Sequence, residues 1–186
     1  MTAIQKKEVV FSTPWFDLVA KSACDKKDEK PYYSIETLDY VSVLALTKDE
    51  KVLLVRQYRP AVEKMVTELP SGHVEKNESP EDSARRELLE ETGHRVSKMQ
   101  LLGSLWSDTG RLSNRIWYFF SDDAVPALTH VPEEPGIETV LMDLSDFLRA
   151  IRDLNFEHSL NLPAVLLAFL KDEKFSKKLQ SIQAGF

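Results

Sequence analysis

The sequence predicts an α+β chain: an αβα sandwich built on a mixed β-sheet, with an antiparallel sheet extending it at the N-terminus. Three observations predict this. Apolar, β-rich runs at 40–46 and 51–58 flank a polar turn, and further strand-like runs follow at 99–106, 115–120 and 139–143. One well-capped helix interrupts them at 80–92, and two more close the chain near 145–152 and 162–171, which suits helices packed on a sheet. Short β-like runs fill the first forty residues.

Those early runs are 8–11, 15–20 and 32–37, separated by Pro14 and by a charged turn at 25–30. They predict a three-stranded extension over 1–39 ahead of a main domain at 40–186. Trp15, Phe16, Tyr32 and Tyr33 lie in it. Strand aromatics ordinarily pack in a core; the functional alternative is a base-stacking platform, with Trp15 the candidate for substrate.

The runs at 40–46 and 51–58 predict a hairpin of buried strands. Helix 80–92 is justified at both ends. Ser79 is a good N-cap, Pro80 suits the first turn, Glu81 and Asp82 sit near the positive end of the dipole, and Gly93 can close the helix left-handed. Ala84, Leu88 and Leu89 give it an apolar side to lay on the sheet, leaving its glutamates to face a cleft.

Bulk properties narrow the function classes. With 186 residues, 42% of them hydrophobic, the chain fits one domain with a substantial core. A net charge of −6 without a basic block argues against nucleic acid as a partner. The single cysteine, Cys24, excludes an internal disulfide and fits a reducing cytoplasm. No run is apolar enough for a membrane span and the start lacks a secretory core, so a cytoplasmic location without membrane is expected.

The chemistry concentrates in 72–93. Glu87, Glu90 and Glu91 stand at i, i+3 and i+4, so three like charges crowd one helical face, an arrangement that costs helix stability unless compensated. A hard divalent cation wanting oxygen ligands compensates it better than bare solvation. His73, His94, His130 and His158 show no ligand spacing, which argues against zinc.

The full spacing, Gly72-x5-Glu78-x7-Arg86-Glu87-Leu88-x-Glu90-Glu91-x-Gly93, closely resembles the signature of the Nudix hydrolases. Seven of these positions, Leu88 aside, each with a residue type at a background of roughly one in fifteen, coincide by chance about once in 10⁸ starts. The resemblance implies a Nudix-type sandwich and hydrolysis of nucleoside diphosphates linked to another moiety, with Mg²⁺ as cofactor and Mn²⁺ as its substitute. It implies that Glu87, Glu90 and Glu91 bind metal with the carbonyl of Ser71, that Arg86 orients the glutamates, and that Glu78 braces the adjoining loop. Gly72 is expected to permit a turn. His94 stands where the family usually has an aliphatic residue, which weakens the expected packing at the helix end.

Glu90 and Glu91 are also catalytic candidates. For the general base the acidic loop at 132–138 offers Glu133, Glu134 and Glu138, with Glu138 first because it adjoins a strand. Arg56 and Arg59, followed by Glu68, resemble the branch that hydrolyses ADP-ribose and nucleoside diphosphate sugars; guanidinium forks suit phosphate and Glu68 could orient one of them. Arg111 or Arg115 could meet the sugar. Thr109-Gly110 replaces the Pro-Gly of ADP-ribose-preferring members, which ranks a nucleoside diphosphate sugar ahead of ADP-ribose itself. In similar enzymes the N-terminal sheet crosses to a second subunit, so a homodimer is expected. Two other classes compete: a catalytically silent nucleotide sensor, which loss of box glutamates would support, and an acidic interaction domain, which does not explain Gly72, Arg86 and Gly93 at these separations.

Overall fold

A computed structural model describes residues 3–23, 30–127 and 136–183. The N-terminal segment folds as three antiparallel strands, β1 (Ile4–Ser12), β2 (Asp17–Ala23) and β3 (Tyr32–Glu36), which form a sheet of their own. Every residue of β1 is exposed. The aromatics expected in a core are exposed too: Trp15 is 70%, Tyr32 54% and Tyr33 52% accessible. A two-layer arrangement needs a second surface over such a sheet, and the described residues place none over β1.

The main sheet begins with β4 (Tyr40–Thr47) and β5 (Lys51–Arg59), the predicted hairpin. Its turn closes through Glu50 N–H donating to the Thr47 carbonyl, with Glu50 at φ 65°. Two short strands absent from the sequence prediction follow. β6 (Lys64–Glu68) returns along β5, and β7 (Ser71–His73) pairs with β4. Both are too short and too polar to show a period. Helix α1 (Pro80–Thr92) has the expected ends: Ser79 Oγ accepts from Asp82 N–H at 3.1 Å, and Gly93 adopts φ 67° with its N–H on the Leu89 carbonyl.

Strands β8 (His94–Arg95), β9 (Gln100–Trp106), β10 (Arg115–Pro126) and β11 (Glu138–Asp143) complete an eight-stranded mixed sheet. β10 runs parallel to β4, and the other pairings are antiparallel. It extends past the expected end at 120 because an irregularity at 121–124 absorbs the Ser-Asp-Asp turn signal. Helices α2 (Leu144–Arg152) and α3 (Leu162–Lys171) match expectation. α4 (Glu173–Gln183) is an additional helix; its charged sequence hides the two residues that anchor it, Phe175 and Leu179.

Side-chain alternation along β4 divides the core. Val41, Val43 and Ala45 face α1, where they meet Ala84 and Leu88; Leu44 and Leu46 face the C-terminal helices, with Phe147, Ala164, Ala168 and Phe175. The result is the predicted αβα sandwich. Burial of Leu88 anchors α1, and truncating such a residue to Ala typically costs about 2–5 kcal/mol. His94 does not loosen the helix end: it is buried in β8 with Nδ1 at 2.7 Å from the Thr92 carbonyl.

Candidate active site

With its apolar side on the sheet, α1 presents its glutamates to a cleft of about 430 Å³ between the helix, β7 and the end of β5. Arg86 is the hub. Its Nε and Nη2 each donate to Glu78 at 3.0 Å, its Nη1 donates to Glu87 at 2.7 Å and to Glu90 at 3.0 Å, and Nη2 also reaches the His73 carbonyl at 3.1 Å. One planar cation therefore gathers Glu78, Glu87 and Glu90, and so offsets the repulsion between two of the three carboxylates of the acidic face. Arg86 holds the Glu78 carboxyl down at about 2, and the carboxylates in turn push its guanidinium above its ordinary range.

Glu91 is held differently. It is buried, and its Oε2 accepts from Ser71 N–H at 2.9 Å. Ser71 is fixed by its own Oγ, which donates to the Leu69 carbonyl at 2.6 Å. Leu69 N–H in turn donates to Asn161 Oδ1 at 3.0 Å, and Asn161 Nδ2 to Ser42 Oγ at 2.9 Å. A buried relay thus runs from the start of α3 to Glu91.

Gly72 is required for a reason other than a turn. It lies in β7 opposite Val41, outside the left-handed region, and a Cβ built on it would fall on the Glu87 carboxylate. The glycine is the floor that lets Glu87 approach.

The substrate candidates separate by strand parity. Gln57 and Arg59 lie on one face of β5 and line the cleft, while Arg56 lies on the other face, 4.0 Å from Glu138 across the β5–β11 pairing. Arg59 makes a fork onto Glu68, Nε to Oε1 at 2.9 Å and Nη2 to Oε2 at 2.6 Å, and Glu68 is 1% exposed. Trp15 also lines the cleft, from the turn between β1 and β2. Arg111 stays in solvent beside Asp108. Arg115 stacks its guanidinium over Trp106 at 4.6 Å and bonds Ser104. The structure does not bring Arg56, Arg111 or Glu138 to the cleft wall. Glu133 and Glu134 lie outside the described residues.

Tyr40, His73 and Asn161 were not among the sequence candidates. Tyr40 and His73 pack edge to face at 4.8 Å in the cleft wall, and burial pushes the His73 ring below its ordinary range, favouring neutral imidazole. Only the adjacency of His73 to Gly72 hints at its place.

The donor set suits a hard divalent cation: carboxylate oxygens on one side, with Gly72 leaving room for Glu87. Among the described residues no three His, Cys, Asp or Glu groups already close on one point. Arg86 and Ser71 hold the carboxylates instead, so oxygens from elsewhere, such as substrate phosphates, would complete a shell.

The NUDIX domain model matches residues 37–163. Over 113 residues the chain is 30% identical to the ADP-ribose pyrophosphatase of Bacillus subtilis (strain 168), covering 60% of this chain and 61% of that protein. Over 147 residues it is 31% identical to the ADP-sugar pyrophosphatase of Mus musculus, covering 72% and 66%. The chain thus spans just under two thirds of the length of these curated relatives. The crystal structure of an ADP compounds hydrolase shares the fold, with a TM-score of 0.74 over 90% of this chain and 91% of that one at 19% identity. The gathered glutamates, their arginine hub, the glycine floor and the domain match over 37–163 agree: this chain belongs to the NUDIX family.

Proposed function

We propose that this protein hydrolyses the diphosphate linkage of a nucleoside diphosphate sugar, adding water to give a nucleoside monophosphate and a sugar phosphate. One observation carries this reading: Glu87, Glu90 and Glu91 are gathered on one helical face and share a cleft with the Arg59 fork.

Glu87, Glu90, Glu91 and the Ser71 carbonyl would hold Mg²⁺. The ion, once bound, neutralises phosphate charge and makes its water a better nucleophile. Arg86 holds Glu87 and Glu90 aimed at the cleft, while the Ser71 N–H keeps the Glu91 carboxylate from turning away. Arg59, oriented by Glu68, meets a phosphate oxygen of the substrate. Glu90 and Glu91 are also the candidates to accept the water's proton; Glu138, the first residue of β11, pairs with Arg56 away from the cleft and ranks behind them. Trp15 offers a face for the nucleobase.

Two named relatives act on ADP-linked substrates, so an ADP-sugar, ADP-ribose included, heads the candidates. The exposed apolar surface of β1, with Val9, Val10 and Phe11, supports a homodimer in which this sheet covers a second copy. A reducing cytoplasm suits the single cysteine.

A substrate panel tests the reading. ADP-ribose, ADP-glucose, GDP-mannose, UDP-glucose and diadenosine compounds are incubated with and without Mg²⁺ and the products identified. Mg²⁺-dependent release of a nucleoside monophosphate from a sugar nucleotide is expected. Cleavage of dinucleotides or nucleoside triphosphates with all sugar nucleotides intact would sink it. Sedimentation at two concentrations tests the dimer.

A further inference from the structure

A second cavity of about 250 Å³ adjoins the carboxylate cleft on the α3 side. Tyr40, Arg59 and His73 line both spaces, so the edge-to-face ring pair stands at the boundary between them. The volume is below the roughly 300–1,000 Å³ of pockets that take a whole ligand, so it suits one ring.

Two polar atoms of this lining are buried without a well-aligned hydrogen bond among the described residues: Asn114 Oδ1, on a residue 6% exposed, and His158 Nδ1, which has the Asn161 side chain beside it. Native folds rarely leave such atoms unpaired without a ligand or water to complete them. Asn114 is also held firmly in place. Its carbonyl accepts from Ser107 N–H at 3.2 Å, the next residue's N–H donates to Asp39 at 2.9 Å, and the loop is stitched to β3 by Ile35 N–H to the Arg111 carbonyl at 2.8 Å. The backbone that carries this acceptor is thereby fixed beside the cavity.

We propose that this cavity binds the sugar ring joined to the nucleoside diphosphate, with Asn114 Oδ1 accepting from one hydroxyl and His158 Nδ1 pairing with another. This rests on the nucleoside diphosphate sugar reading above. Sugar hydroxyls both donate and accept, so either tautomer of His158 is served. A nucleobase would need a flat slot, which the perpendicular Tyr40 and His73 rings do not form, whereas the exposed face of Trp15 in the cleft does offer stacking.

The test compares kcat/KM for ADP-ribose with that for an ADP ester of a short alkyl alcohol, which keeps the diphosphate but has no hydroxylated ring. Asn114→Leu is expected to lower the ADP-ribose value at least about tenfold more than the alkyl-ester value, because a site built to bond a hydroxyl discriminates strongly once that bond is lost. It should also weaken inhibition by ribose 5-phosphate at least about tenfold. Asn114→Asp, which keeps shape and acceptor, should retain most of the preference. Equal losses on both substrates, no loss on ADP-ribose, or unchanged inhibition would overturn the assignment while leaving the hydrolase reading intact. Failure of the wild type to cut any sugar nucleotide would overturn both.

Discussion

Arg86 and Glu78 meet as a two-bond fork, Nε to Oε1 and Nη2 to Oε2 both at 3.0 Å, eight residues apart across the start of α1. The fork leaves Nη1 for Glu87 and Glu90, so Glu78 sets the angle from which Arg86 gathers the other two.

Glu78 titrates at about 2 in the fold against an ordinary 4.5. A depressed folded pKa means that the unfolded chain takes up the proton first as pH falls. The stabilisation is therefore complete above about pH 4.5 and is lost as pH falls from there toward 2. Glu78→Gln should be less stable than wild type at pH 7, and the gap should narrow between pH 5 and pH 3 in urea titrations. A gap independent of pH would exclude this origin.

Glu91→Gln keeps a side-chain oxygen for Ser71 N–H while removing the charge. Turnover in Mg²⁺ should fall at least about a hundredfold, as expected for loss of a metal-holding carboxylate, with the circular dichroism spectrum unchanged. Near-normal turnover would remove Glu91 from the metal site.

Gly72→Ala places a methyl on the Glu87 carboxylate without backbone strain. Glu87 must swing aside, so kcat/KM should drop at least about tenfold while stability changes by about 1 kcal/mol or less, the obstacle being a movable side chain end. Calorimetry should show weaker Mg²⁺ uptake. A large loss of stability would instead indicate a backbone requirement.

Glu68→Leu strands the half-buried Arg59 cation. Breaking a buried pair on one side costs about 3–5 kcal/mol; with Arg59 35% exposed, solvent screening reduces this to roughly 1–3 kcal/mol. KM for the sugar nucleotide should rise more than kcat falls, because Arg59 is assigned to binding. Equal effects on the two constants would argue against that role.

Asn161→Leu leaves Leu69 N–H and Ser42 Oγ without the partner they now have, at a cost of about 1–3 kcal/mol for each buried group. Since the same segment carries Ser71 to Glu91, turnover should fall as well. Asn161→Asp, which keeps the acceptor for Leu69, should recover more turnover than Asn161→Leu; identical turnover would disconnect the relay from the site.

What the chain declares locally is what local physics decides. Glu87, Glu90 and Glu91 share a face because helical spacing puts them there, Ser79 and Gly93 bound that helix because their own conformations favour its ends, and near-continuous apolar runs place β4 and β5 in the core, buried on both faces. The short, polar β6, β7 and β8 have no period to read and exist because long-range partners satisfy their backbones. Only the tertiary structure decided that Arg59 and not Arg56 faces the cleft, since strand register and sheet edge set parity. It alone set Gly72 beneath Glu87 and brought Asn161, 92 residues downstream, to Leu69. Such contacts join residues far apart in sequence, and no spacing along the chain encodes the distance between them in space.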